Sequence, residues 1–388
     1  MGRLKSKNAW PEKRGVHRTT GLEYVSWPSG MGVVNGLFTP AARGKIPREI
    51  EMANNLVAQI PKAGEEFELV EREIPRPGAG EIRIQVKACG VCHSDVVTKF
   101  GVMPGITYPR VPGHEAVGLV DEVGAGVTEW KKGDRVGAGW HGGHCFVCVS
   151  CRRGDFFTCV NQQLTGVTRD GGYGQYMLVR HEAVAAVPEG LDWADAAPLM
   201  CAGITTFNSL RRSGAMPGDL VAVQGIGGLG HLGIQYAAKM GYRTAAVGRG
   251  AENGALAKKL GAYVYIDSAA QDAAGELQKL GGAKVILATA PSAKAMVDMV
   301  PGLGPGGKLL AVGVPQDALQ LNVAPLIMAR RDLQGWPSGT AMDSQETMEF
   351  SKLTGIRPMV EKYPLGKVKD AFDRMMSGKA EFRVVLTI

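Results

Sequence analysis

Leu220-Val221-Ala222-Val223-Gln224-Gly225-Ile226-Gly227-Gly228-Leu229-Gly230 is the stretch that decides the fold. Leu220–Gln224 is a short apolar run and reads as a buried strand. Gly225, Gly227 and Gly230 then fit the pattern G-x-G-x-x-G. The first glycine of such a loop makes a tight turn. The second lets backbone approach a pyrophosphate, and the third lets the next helix pack on the strand. Leu229–Met240 has helical spacing, so the helix N-terminus, with Gly228 and Leu229 in the loop, would face that anion. The loop therefore points to a bound dinucleotide.

Downstream, strand and helix alternate. Strands are expected at Arg243–Val247, Tyr263–Ile266, Val285–Ala288, Lys308–Val312 and Leu319–Val323, with a helix at Gly254–Leu260. That series predicts a doubly wound parallel sheet of the Rossmann kind, an α/β fold. The strand after the loop ends at Gly248-Arg249. An acidic residue is expected there to hold the ribose 2′-hydroxyl of NAD. Gly248 removes that carboxylate, and Arg249 offers a guanidinium to a 2′-phosphate. The pair favours NADP over NAD. The plainer reading of Arg249 is a solvated surface side chain.

Upstream the pattern is β-rich. Phe67–Glu73, Glu81–Val86 and Ala116–Val123 alternate or run apolar between Gly and Pro punctuation. Gly133-Asp134 and Gly142-Gly143 read as turns. Arg383–Leu386 reads as a last strand that returns to this region. The boundaries expected are a basic extension at 1–51, a β-rich body at 52–200 and 336–388, and the dinucleotide-binding body at 201–335.

All seven cysteines fall between Cys89 and Cys201. Such clustering in a long chain suits metal binding in a reducing compartment better than disulfides. Cys145, Cys148, Cys151 and Cys159 are spaced C-x2-C-x2-C-x7-C, which suits a closed structural zinc site. An iron–sulfur run begins the same way but continues x3-C-P; here seven residues precede Cys159 and Val160 follows it. A zinc ribbon for nucleic acid is conceivable, with little else to support it. Cys92, His114 and Cys201 lie far apart and suit an open zinc site with room for water or substrate. Cys89 reads as a spare buried thiol.

Composition excludes several classes. The chain has 388 residues, 45% apolar and 21% charged. No apolar run approaches the roughly 20 residues that span a bilayer. Met1–Arg18 lacks the apolar segment of a signal peptide. The net charge of +7 resides mostly in residues 1–51, so no basic face for nucleic acid is expected on the body. That arm could be an extension upstream of a start at Met52. It also fits, weakly, a myristoylation pattern at Gly2 and Ser6 or a transit peptide.

Gly90-Val91-Cys92-His93-Ser94-Asp95, Gly113-His114-Glu115, the four-cysteine lobe, Leu199-Met200-Cys201-Ala202-Gly203 and the glycine loop stand in one order. In this the chain resembles the zinc-dependent medium-chain alcohol dehydrogenases, from about Asn54 to Ile388. The resemblance implies a GroES-like catalytic domain beside the Rossmann domain. It implies two zinc ions per chain: Cys92, His114 and Cys201 on the catalytic one, with Glu115 as an acidic neighbour able to approach it. Asp95 would orient His114, as metal-bound histidines require. Ser94 would pass the alcohol proton. His93 and Arg383 would touch the cofactor pyrophosphate, and Thr205 the nicotinamide. Trp140 and Met103 would wall the pocket. One departure stands out: Val97 replaces a histidine that often ends the proton relay. His141 and His144 are near in sequence, but read as solvated loop residues.

The expected activity is hydride exchange between a primary alcohol or aldehyde and NADP(H) or NAD(H), with zinc as Lewis acid. A polyol or sugar dehydrogenase, or a non-enzymatic zinc protein, are the alternatives. A cytoplasmic homodimer or homotetramer without membrane or nucleic-acid partners is expected.

Overall fold

The computed structural model describes residues 54–388. The expectations for the basic arm and for a start at Met52 lie outside them. Two sheets organise the described chain. The first has six strands, in the spatial order Val264–Asp267, Arg243–Gly248, Leu220–Gln224, Ala283–Ala288, Leu303–Ala311 and Asp332–Gly335. Every pairing in it is parallel. Strand order therefore reverses beside Leu220–Gln224, and a crevice opens at the carboxyl ends there. The glycine loop leaves that end.

Parallel sheets need cover on both faces. Leu220–Gln224 is accordingly buried at every residue. Leu232, Ile234 and Tyr236 of the helix Gly230–Lys239 pack with Val221, Val223 and Leu287 on one side. Leu277, Met296 and Val300 pack with Ala222 and Ile286 on the other.

One expected strand is absent. Leu319–Val323 is not in the sheet, and its place at the edge is taken by Asp332–Gly335. The alternation Leu319, Leu321, Val323 imitates a half-buried strand. Yet Leu319 and Val323 are exposed. The Asn322 side chain accepts the Ala324 N–H and opens the helix Ala324–Ala329 instead.

The second sheet is built on the long strand Glu81–Val91, whose pattern alternates before it becomes buried on both faces. Ala116–Val123 and Tyr176–Arg180 pair with it antiparallel. Arg383–Thr387 pairs with Ala88–Val91, so the C-terminal strand closes this sheet. The pair Gly142-Gly143 is not a turn. His141–Gly143 forms a short ladder with Gln163–Leu164, because Gly142 lets the Thr165 backbone approach closely.

Between the sheets runs the segment Trp193–Arg211. Its Leu199, Met200 and Phe207 share one core with Ala88, Val117 and Val385 from one sheet and Val221 and Tyr236 from the other. Among the described residues no helix is long and apolar enough to cross a membrane.

Candidate active site and metal centres

Three separate elements bring one cluster together. Cys92 follows the strand Glu81–Val91 and precedes the tight helical turn His93–Asp95. His114 and Glu115 lead into the strand Ala116–Val123. Cys201 lies in the wide turn Leu199–Gly203, the π-type start of the helix Ile204–Arg211. Ligand atoms of Cys92, His114, Glu115 and Cys201 all lie within 4.8 Å of one another. The two sulfurs stand 3.8 Å apart. Tetrahedral zinc with Zn–S bonds of about 2.3 Å requires a sulfur–sulfur edge of about 3.8 Å.

The imidazole is oriented for a cation. His114 Nδ1 stands 2.9 Å from Asp95 Oδ1. Its Nε2 is buried and, among the described residues, has no hydrogen-bond partner; the same is true of Glu115 Oε2. A buried polar atom without a partner is rare and calls for a reason. Two such atoms facing two thiols fit a metal site.

Charge in the cluster is strongly coupled. The hydrogen bond from Cys201 holds the Cys92 thiol well below the ordinary thiol value, with His114 and Arg383 assisting. Cys92 and burial push Cys201 the other way. Burial would lower the His114 pKa, but Asp95 beside it raises it well above the ordinary value. Burial raises Glu115 to about 7, against the pull of Arg383.

Glu115 is wholly buried and forms an ion pair with Arg383, itself almost fully buried. Losing one partner of such a pair costs about 3–5 kcal/mol. Gly90 makes room for it, since a Cβ there would fall 1.8 Å from Glu115 Oε2. Sequence reasoning named both residues but missed that they meet, because 268 positions separate them.

The remaining expected residues distribute around this cluster. Ser94 Oγ lies 3.8 Å from Cys92 Sγ. Trp140 meets the His114 ring edge-on, with centroids 5.0 Å apart. Thr205 is buried in the first turn after Cys201. His93 is exposed, and Met103 lies exposed in the loop after the helix Val96–Phe100. Val97 offers no titratable group.

His141 and His144 correct the expectation made for them. His141 is not solvated, being 2% exposed, while His144 is half-buried; His141 Nε2 lies 3.2 Å from His144 Nδ1. Phe156 stacks on His144. Burial lowers the His141 pKa to about 4. The aromatic residues of the neighbouring lobe account for this.

That lobe gathers Cys145, Cys148, Cys151 and Cys159 within 4.8 Å. Cys159 Sγ lies 3.5 Å from Cys145 Sγ and 3.9 Å from Cys148 Sγ. These edges again match tetrahedral zinc at about 3.8 Å. Backbone N–H groups of Val147 and Cys148 lower the Cys145 thiol to about 6. None of the seven cysteines is in a disulfide.

In the glycine loop, Gly225 has φ +94° and Gly230 would place a Cβ 1.8 Å from the Gly225 carbonyl oxygen. At Gly227, by contrast, no atom among the described residues lies within 4 Å of where a Cβ would stand. The loop thus pairs two structural glycines with one that leaves room for a ligand. Arg383 lies against it, 3.1 Å from where a Gly228 Cβ would stand.

Comparison with known proteins agrees with this architecture. Residues 78–189 match the alcohol dehydrogenase GroES-like domain family, and residues 228–353 the zinc-binding dehydrogenase family. Alcohol dehydrogenase patD of Penicillium expansum is 43% identical over 331 residues, 85% of this chain and 97% of that protein. Aldehyde reductase AdhA of Synechocystis sp. is 36% identical over 313 residues, 80% of this chain and 92% of that protein. The crystal structure of CAD from Helicobacter pylori complexed with NADP(H) superimposes with a TM-score of 0.77 at 28% identity, covering 86% of this chain and 98% of that one. With a GroES-like sheet, a Rossmann sheet and relatives of nearly full length, the chain belongs to the zinc-dependent medium-chain alcohol dehydrogenase family.

Proposed function

We propose that the protein is a zinc-dependent alcohol dehydrogenase, or aldehyde reductase, acting on a small alcohol or aldehyde with NADP(H). The observation that carries this is the cluster itself. Two thiols, one imidazole with an unpaired buried nitrogen and one carboxylate converge within 4.8 Å, in a chain that also carries a dinucleotide loop. Cys92, His114 and Cys201 would hold the catalytic zinc, and Cys145, Cys148, Cys151 and Cys159 a structural one. When bound, zinc supplies the Lewis acidity that lowers the pKa of an alcohol, and nicotinamide supplies the hydride acceptor.

The chain's own residues do the rest. Asp95 holds His114 with its free nitrogen toward the cluster. Ser94 Oγ, on the rim beside Cys92, would accept the substrate proton while donating its own to water, since Val97 cannot carry it further. Trp140 gives the pocket an aromatic wall, which favours an apolar substrate over a polyol. Gly227 and Gly228 admit the pyrophosphate beside His93 and Arg383, and Thr205 lies where the nicotinamide would be met. A division into bodies 52–200 with 336–388, and 201–335, is part of the proposal; it is supported by the two large sheets, whose strands fall on either side of it.

NADP rests on Gly248 and Arg249. Arg249 is exposed, and among the described residues no carboxylate pairs with its guanidinium. NAD is the second reading, because Glu252 folds over Gly250, where a Cβ would meet its carboxylate at 2.1 Å. Steady-state kinetics with alcohols and aldehydes against both cofactors tests the proposal. NADP should win, and Arg249→Gln should lower its kcat/KM about 10-fold or more, the worth of a charge-assisted contact. A preference for NAD that Arg249→Gln leaves unchanged would sink it.

A homodimer or homotetramer of the cytoplasm is part of the proposal. The strand Asp332–Gly335 ends its sheet with all four residues exposed, beside Ile327 at 70% and Met328 at 85% exposure. An open edge next to exposed apolar side chains favours self-association.

A further inference from the structure

Asp95 is held by more than the histidine it orients. Its carboxylate is 3% exposed and four donors converge on it. His114 Nδ1 and the Gly113 N–H reach Oδ1 at 2.9 and 3.3 Å. The Cys92 N–H and the Tyr173 hydroxyl reach Oδ2 at 2.9 and 2.8 Å. Three of these donors belong to the segments that carry Cys92 and His114. Tyr173 alone comes from elsewhere.

Its placement is built with care. Tyr173 is wholly buried, and among the described residues its hydroxyl has no hydrogen-bond partner besides Asp95. The loop Gly171-Gly172-Tyr173 straps the segment before His114 through three backbone bonds. Gly171 N–H donates to Val111, Gly172 N–H to Gly113 and Tyr173 N–H to Pro112. Side chains have been removed wherever the strap comes close. A Cβ on Gly113 would stand 2.4 Å from the Tyr173 ring, and one on Gly171 2.2 Å from the Gly113 carbonyl oxygen. One on Gly172 would stand 2.5 Å from Ala116 Cβ. Gly113 also has φ +100°, a conformation that favours glycine. Burial and the neighbouring Asp95 raise the Tyr173 pKa well above its ordinary value, so the hydroxyl stays a donor.

We infer that Tyr173 is a positioning residue for the catalytic metal centre, its hydroxyl fixing the Asp95 carboxylate that in turn fixes the His114 ring. This rests on the zinc assignment for Cys92, His114 and Cys201. Carboxylates and their partners behind a ligating histidine tune metal affinity, and losing one typically costs 10–100-fold.

The test uses the full chain loaded with zinc, or with cobalt(II) to give each site its own absorption bands. Tyr173→Phe keeps the ring and removes only the hydroxyl. It should weaken metal binding at the Cys92–His114–Cys201 set about 10–100-fold in chelator competition and shift the cobalt bands of that set. The four-cysteine lobe serves as internal control and should be unchanged. Asp95→Asn should weaken the same set, and adding Tyr173→Phe to it should weaken the set no further. Wild-type affinity and bands in Tyr173→Phe would overturn the inference, even if thermal stability falls. Equal loss at both sites would overturn it too, as would additive effects in the double variant. If Cys92→Ser leaves the metal content of the wild type unchanged, the site assignment itself fails, and that result is distinct from any of these.

Discussion

Two groups of cysteines in one chain follow opposite construction rules. Cys145, Cys148, Cys151 and Cys159 span 15 residues and make their own lobe. Phe146, Val147, Val149 and Val160 on that lobe are all at least 50% exposed, so it has little apolar core of its own. Cys92, His114 and Cys201 span 110 residues and meet only because two sheets and the segment between them pack together. The local cluster must therefore create structure, whereas the assembled one inherits it. On the proposed assignment, that difference would separate a stabilising metal from a reactive one.

Breaking the assembled cluster should cost activity first. On the proposed assignment, replacing His114 by Ala would remove a metal ligand worth several kcal/mol of transition-state stabilisation. Turnover should fall by about 10³-fold or more while the thermal midpoint moves little. Near-normal turnover in that variant would break the contrast. The converse change is Cys148→Ser, which opens the local cluster. Structural zinc contributes folding energy directly, so the apparent Tm should drop by on the order of 10 °C. Residual molecules that stay folded should keep their kcat. A calorimetric scan that shows an unchanged Tm would contradict the structural role.

The smallest effect concerns how the glycine loop is tied to the second sheet, through Met359 just before the strand Val360–Pro364. His231 Nδ1 donates to the Gly227 carbonyl, and Nε2 accepts the Met359 N–H at 3.3 Å. Burial lowers its pKa to about 4. Below pH 6.5 the unfolded chain takes up a proton that the folded one refuses, so stability falls as pH drops. The fall should end near pH 4 and total no more than about 3 kcal/mol. Denaturant titrations across that range should show it, and His231→Gln should flatten it. An equal slope in the variant would remove His231 from the account.

The same contrast governs what could be read in the sequence. The four-cysteine spacing and the glycine loop are legible because each is a local pattern with its own geometry. The α/β sheet follows from strand–helix alternation, except where Leu319, Leu321 and Val323 imitate a strand and Asn322 starts a helix. The assembled cluster is different. Its members carry no mutual spacing: residue type alone suggested joining Cys92, His114 and Cys201, and the resemblance supplied a role for each. Tyr173 carried no signal, since its role depends on a hydroxyl meeting Asp95 from 78 positions away. Gly171 and Gly172 were the faint clue, because paired glycines beside a buried aromatic imply close backbone approach. The burial of His141 was invisible because the rings beside it, His144 and Phe157, are brought there by the lobe's own fold.

Elemental analysis of zinc in the purified chain tests the central claim most directly. Two zinc ions per chain are expected, with Cys92→Ser retaining one, losing activity and unfolding close to the wild-type temperature. One zinc in the wild type, or a Cys92→Ser variant that keeps both metal ions and turnover, would contradict it.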